Sequence, residues 1–146
     1  MSCFVCEKHQ LGDAAEGGVL FEDDVIYVGH VHTRNGPTVY RGHLVVEPRR
    51  HVAELGDLDA SEASALGQVC SRMARLLQVG QGAEHVYMYV AGDGMAHLHV
   101  HLVPRYRGTP REYWGPAVTR WANAPRVDPE EMRTLISGLR DQRGPV

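Results

Sequence analysis

His97-Leu98-His99-Val100-His101-Leu102-Val103, closed by Pro104, sets three imidazoles in strict alternation with aliphatic residues. An extended chain turns successive side chains to opposite faces, so this spacing predicts a strand with one aliphatic and one imidazole face. Leu98, Val100 and Leu102 can enter a core. His97, His99 and His101 then form a row of groups able to attack, donate or accept protons, or bind metal near neutral pH. A strand rises about 3.4 Å per residue, which spreads the ends of the row roughly 13 to 14 Å apart. A zinc ion holds its nitrogens at about 2 Å, so one ion does not easily take all three. The row is therefore expected to divide its labour, with metal at one end and chemistry at the other.

A single strand histidine is most simply a hydrogen-bonded structural residue. Three in alternation on an otherwise aliphatic strand suit nucleophilic catalysis on phosphorus. A neutral imidazole attacks well when one nitrogen keeps its proton on an acceptor and the other is aimed at the electrophile. A second imidazole can protonate the leaving group. Gly92 and Gly94, just ahead of the row, can turn backbone N–H groups toward a phosphate.

Working outward, His85–Ala91 is rich in Val and Tyr and reads as a strand that forms an antiparallel hairpin with the histidine strand across Gly92-Asp93-Gly94. Upstream, Asp59 and Glu62 form a capping-box pattern. Ala63, Leu66, Val69, Cys70, Met73, Leu76 and Leu77 then recur at helical spacing, and Gly80 and Gly82 stop the helix. His43–Glu47 reads as a strand ended by Pro48. Val19–Glu22 and Val25–Val28 read as strands around an Asp23-Asp24 turn, and 29–42 as mostly loop. Residues 105–127 have no clear period. A last helix starts at Asp128-Pro129 with Glu130 and Glu131 in its first turn. This order predicts an α+β fold, an antiparallel sheet with helices packed on it.

The chain has 146 residues, enough for one domain with a real core. Its net charge of −3 gives no support for general nucleic-acid binding. No apolar run approaches the roughly 20 residues of a membrane span, and the N-terminus lacks a signal-peptide pattern. A cytoplasmic protein is expected. Three cysteines are too few for a disulfide scaffold. Cys70 falls in the helical pattern as a small buried residue. Cys3 and Cys6 form a C-x-x-C pair, which suggests metal binding or thiol redox chemistry.

The residues His97–Val103 resemble the histidine triad (HIT) signature, in which histidines alternate with apolar residues. Phe21-Glu22-Asp23-Asp24, Gly42-His43-Leu44-Val45-Val46-Glu47-Pro48-Arg49-Arg50-His51 and Val103-Pro104-Arg105-Tyr106 are similar, in the same order, to other HIT segments. The resemblance covers about residues 3–106 and leaves 107–146 as a C-terminal extension of a single domain. It implies a HIT fold, with a five-stranded antiparallel sheet, a long helix and a C-terminal helix, assembled as a homodimer.

It also implies a nucleotide hydrolase or transferase acting at the α-phosphate of purine nucleoside phosphoramidates, adenylates or dinucleoside polyphosphates. His99 would form a nucleotidyl-histidine intermediate, His101 would serve the leaving group, and His43 matches a fourth active-site histidine. Substrate contacts are expected from Gly92, Gly94, Met95 and Phe21. The place of the family's ribose-binding acid falls at His30, Val31 or Asn35, of which Asn35 is the candidate. A zinc-bearing subset of the family implies a structural Zn²⁺ on Cys3, Cys6, His51 and His97. Gly94 stands where many relatives carry a phosphate-binding serine, so a non-catalytic nucleotide-binding protein on the same fold is the alternative. A metalloenzyme with its catalytic ion on the histidine row is a third reading.

Overall fold

The computed structural model describes residues 2–143. Five strands form an antiparallel sheet: β1 (Phe21–Glu22), β2 (Ile26–His30), β4 (Leu44–Pro48), β6 (Val100–Arg105) and β5 (His85–Tyr89), in that spatial order. A separate two-stranded ribbon pairs β3 (Val39–Tyr40) with β7 (Arg126–Val127). The helices are α1 (Phe4–Leu11), α2 (Ala60–Gln81) and α3 (Pro129–Arg143).

Alternation decides the two faces of the sheet. Ile26, Val28, Leu44, Val46, Val100 and Leu102 point to one side and pack on Leu66, Val69, Cys70, Met73 and Leu77 of α2 and on Leu135, Ile136 and Leu139 of α3. Each of these side chains gives roughly 1.5–3 kcal/mol on burial. The capping box predicted for α2 is present. Asp59 accepts from the Glu62 N–H at 2.8 Å, and Glu62 accepts from the Asp59 N–H at 3.0 Å. Gly82, at φ +70°, ends this helix in the left-handed conformation. Gly80 does not end it. A Cβ there would meet Leu139 and Gln142, so this glycine lets α3 approach α2.

The opposite face carries Tyr27, Val45, Glu47, His101 and Val103. The α1 helix covers one part of it. Tyr40, Val118 and Ala124 cover Val103 in a second small core. The irregular stretch after Tyr106 thus supplies the second cover and the β7 strand.

Two expectations need correction, and one element had no reading. The histidine strand enters the sheet ladder only at Val100, so His97–His99 lie in an approach segment, and the connection from β5 runs through residues 90–99. β2 extends to His30, and Pro48 lies within β4 as its last residue. The segment Phe4–Leu11, for which the sequence carries no helical pattern, is helical. Its sequence has little amphipathic pattern. Tertiary contacts hold it instead: the Cys3 Sγ accepts from the Cys6 N–H at 3.4 Å, and the buried Glu47 carboxylate binds Lys8 at 2.7 Å and His9 at 2.8 Å. Burial raises the Glu47 pKa, but the His9 and Lys8 contacts outweigh it and hold the carboxyl below its ordinary value.

Candidate active site and metal centre

The three histidines of the row occupy different environments. His97 is fully buried. Its Nε2 lies 2.8 Å from the Pro48 carbonyl, to which it donates, and its Nδ1 lies 3.5 Å from both Cys3 Sγ and Cys6 Sγ. His51 Nδ1 is also 3.5 Å from Cys6 Sγ. The four donor atoms of Cys3, Cys6, His51 and His97 all lie within 4.8 Å of one another. A tetrahedral ion with Zn–S near 2.3 Å and Zn–N near 2.05 Å requires S···N edges of about 3.6 Å. The observed sulfur–nitrogen spacings match that edge, so this set can hold a metal ion. The Pro48 carbonyl fixes the tautomer that leaves Nδ1 free to ligate, the usual outer-shell arrangement for a ligating histidine. Burial holds the His97 pKa below its ordinary value, which keeps the ring neutral as a ligand.

His99 is half-buried, and its Nδ1–H donates to the His97 carbonyl at 2.9 Å. The opposite nitrogen, Nε2, therefore carries the lone pair. His101 lies on β6 directly opposite Tyr89 of β5, whose ring stacks on it at 4.8 Å. Its Nδ1 is 2.8 Å from Nε2 of His43, a residue placed by the Gly42 turn just before β4. Gly42 has φ +83°, and a Cβ there would collide with the Tyr106 hydroxyl and Pro104, so the turn requires glycine. The His99 and His101 rings meet edge-on at 5.0 Å. Burial, with charge repulsion from the neighbouring imidazoles, pushes the His43 pKa down to about 3 and the His101 pKa to about 4. Both rings are neutral at pH 7 and share one hydrogen bond.

The remaining expected residues divide. Gly92, at φ +78°, and Gly94 stand exposed in the turn before the histidines, with Met95 half-buried beside them. Asn35 lies on the rim of a groove of about 330 Å³ that also includes His43. Phe21 is a correction: it is 4% exposed and belongs to the α2 core, on the opposite face of the sheet from His101. Its ring instead faces the Arg72 and Arg143 guanidinium groups at 5.4 and 5.8 Å. His30 is also buried, accepting from the Gly42 N–H at 3.0 Å and donating to the Val31 carbonyl at 2.9 Å. It fills a structural role.

Several neighbours carried no sequence signal. The Phe4 ring meets His32 edge-on at 5.4 Å, and the Arg34 guanidinium lies 4.6 Å from its centroid. Thr38, Thr119 and Arg126 join Asn35 and His43 around the groove. They come from segments far apart in sequence, so no local pattern could have grouped them. Tyr89 was findable in principle, since pairing β5 with β6 sets it across from His101. In the tail, the Trp114 ring meets the Arg105 guanidinium at 3.7 Å and the Arg111 guanidinium at 4.7 Å from its centroid.

Known structures share this arrangement of elements. A Zn-bound histidine triad family protein from Mycobacterium smegmatis is 23% identical, covering 97% of this chain and 95% of its own, with a TM-score of 0.69. A hypothetical histidine triad nucleotide-binding protein from Sulfolobus tokodaii is 20% identical, covering 97% of this chain and 91% of its own, with a TM-score of 0.73. A HIT family protein from Bacillus anthracis is 22% identical, covering 72% and 74%, with a TM-score of 0.60. At these identities the likeness speaks for the fold. Comparison with curated proteins finds no match. A family model described as the HIT domain matches residues 18–108. That match spans more than half of the chain and takes in the whole histidine row, so this protein belongs to the HIT family.

Proposed function

We propose that the protein cleaves a purine nucleotide at its α-phosphorus through a covalent intermediate on His99. The observation that carries this reading is the orientation of His99. Its Nδ1–H is held on the His97 carbonyl, which leaves Nε2 deprotonated beside His101. In the first step His99 Nε2 forms a P–N bond as the bond from phosphorus to the leaving group breaks. His101 supplies the proton. The donating form would be the His101 imidazolium, favoured by the anionic phosphate bound beside it: Nδ1–H donates to His43 Nε2, Nε2–H passes to the departing atom, and the ring is left neutral. Water then attacks phosphorus, the P–N bond breaks, and His101 recovers its proton as the nucleoside monophosphate leaves. The turn at Gly92, Gly94 and Met95 would offer backbone N–H groups to the phosphate oxygens. Asn35 and the Phe4–His32 pair would flank the nucleoside.

The substrate class is nucleoside phosphoramidates, adenylates or dinucleoside polyphosphates. The metal is zinc, on the strength of a closed Cys₂His₂ donor set with no place for substrate. Cys3, Cys6, His51 and His97 would hold it, and it would tie α1 to the approach of the histidine strand without taking part in the chemistry. A homodimer would form along the β5 edge, where Met88 is 63% and Val90 42% exposed. Met88→Lys should then yield monomers in sedimentation, whereas a wild type already monomeric would refute the assembly.

Turnover of adenosine phosphoramidate with radiolabelled phosphorus tests the main reading. Wild type should form an acid-labile, alkali-stable label that His99→Asn lacks. Label or turnover persisting in His99→Asn would refute it. A second reading, nucleotide binding without turnover, is favoured by the absence of a hydroxyl in the Gly92–Ala96 turn. Tight binding of AMP with no hydrolysis of any of the three substrate types would select it.

A further inference from the structure

The groove beside His43 contains a feature that the attack on phosphorus does not use. Two guanidinium groups, those of Arg34 and Arg126, line it, and no carboxylate does. Among the described residues neither Arg34 nor Arg126 pairs with an acid, although the chain carries a net charge of −3.

Both groups are held in place. Arg126 donates through Nε to Thr38 Oγ1 at 2.8 Å and through an Nη to the Thr38 carbonyl at 2.8 Å. A guanidinium has five N–H donors, so three remain. The Thr38 hydroxyl, occupied as an acceptor, keeps its own O–H to give. Arg34 is stacked on Phe4. Thr119 adds another hydroxyl. The walls come from the segment 31–35 after β2, from the β3–β7 ribbon and from the turn ending at Thr119, all outside the histidine strand.

We infer that this groove binds a second anionic group of the substrate, a phosphate apart from the one attacked, on Arg34 and Arg126. The chemistry is that of a fixed fork of donors, two cations and hydroxyl donors with no competing acid, which is the arrangement that recognises phosphate oxygens. The groove reaches His43, and His43 bonds His101, so the second phosphate belongs to the molecule whose phosphorus sits at His99. This rests on the proposed attack by His99. Two sources meet the same chemistry: a phosphate chain on the leaving group, or a phosphate on the ribose.

Specificity ratios test it. The values of kcat/KM are measured for adenosine phosphoramidate, for diadenosine triphosphate, and for an adenosine phosphoramidate bearing a ribose phosphate. Arg34→Met and Arg126→Met should each lower the ratio of one doubly anionic substrate to the plain phosphoramidate by about tenfold or more, the size of a lost charge-assisted hydrogen bond. A fall for diadenosine triphosphate assigns the leaving-group side, and a fall for the ribose phosphate assigns the sugar side. Ratios unchanged in both variants overturn the inference, including when all rates fall together. If wild type turns over none of the three, binding of inorganic triphosphate is measured by calorimetry. Binding that weakens about tenfold in either variant then supports the groove while turnover of phosphoramidates and dinucleoside polyphosphates fails. Equal binding by wild type and both variants overturns the groove.

Discussion

His97 and His101 have the same side chain, the same parity along the chain and aliphatic neighbours on either side, yet they sit in opposite chemical settings. His97 is fully buried, with one nitrogen on the Pro48 carbonyl and the other facing two thiols. His101 is half-buried, bonded to His43 and stacked on Tyr89. His99 bridges the two ends, since its Nδ1–H is held by the carbonyl of His97 itself. The difference comes from what each ring meets across the fold. Cys6 on α1 and Cys3 at its N-cap make one end a ligand, and a neutral imidazole from the β4 approach bonds the other end, where the proton is given.

Removing the reactive ring should have the largest effect. His99→Asn is expected to lower kcat by on the order of a thousandfold or more, with metal content by atomic absorption unchanged. Loss of metal together with activity would mean that the two ends are not separable. The reverse experiment acts on the other end. Cys6→Ser should abolish stoichiometric metal binding and lower Tm by about 10 °C or more, because metal binding to such a site is coupled to folding.

The anchorage of α1 gives the next effect. Glu47→Gln leaves Lys8 buried without its counter-charge, and breaking a buried pair costs about 3–5 kcal/mol. Urea denaturation should show this loss, and metal affinity should fall with it because α1 carries Cys6. Stability unchanged in Glu47→Gln would show that the metal alone holds the helix.

A smaller effect is set by pH. Burial lowers the His30 pKa from 6.5 to about 4. The unfolded chain therefore binds a proton at His30 between those values while the folded chain does not. Stability falls as pH drops from about 6.5 toward 4, by up to about 3 kcal/mol for this group. His43 and His101 act in the same direction. His30→Gln should flatten the acid limb of a plot of stability against pH relative to wild type, and an unaltered slope would remove His30 from the account.

Much of this was legible because it is local. The α2 cap reads directly from Asp59 and Glu62, and the helical spacing from Leu66 to Leu77 reads as core. The imidazole alternation reads as one face of a strand, which the structure bears out only from Val100 on, at His101. The α1 helix was not legible, because Cys6, Lys8 and His9 gain their reason for helicity from His97 and Glu47, residues remote in the chain. Phe21 was misplaced because a two-residue strand carries too short a pattern to show which face it takes, and the α2 core claims it. The groove residues Thr38, Thr119 and Arg126 had no signal, since only the β3–β7 pairing brings them to His43.

The sequence by itself determined that Val100 and Leu102 would enter the core, that His101 would take the other side of their strand and that helices would pack on the aliphatic side, because side-chain alternation and helical period are properties of the local backbone. Only the tertiary structure decided which nitrogen of His97 and of His101 is free. That depends on which carbonyl, thiol or second imidazole arrives within hydrogen-bond distance, and those partners come from Pro48, Cys3, Cys6 and His43, remote along the chain.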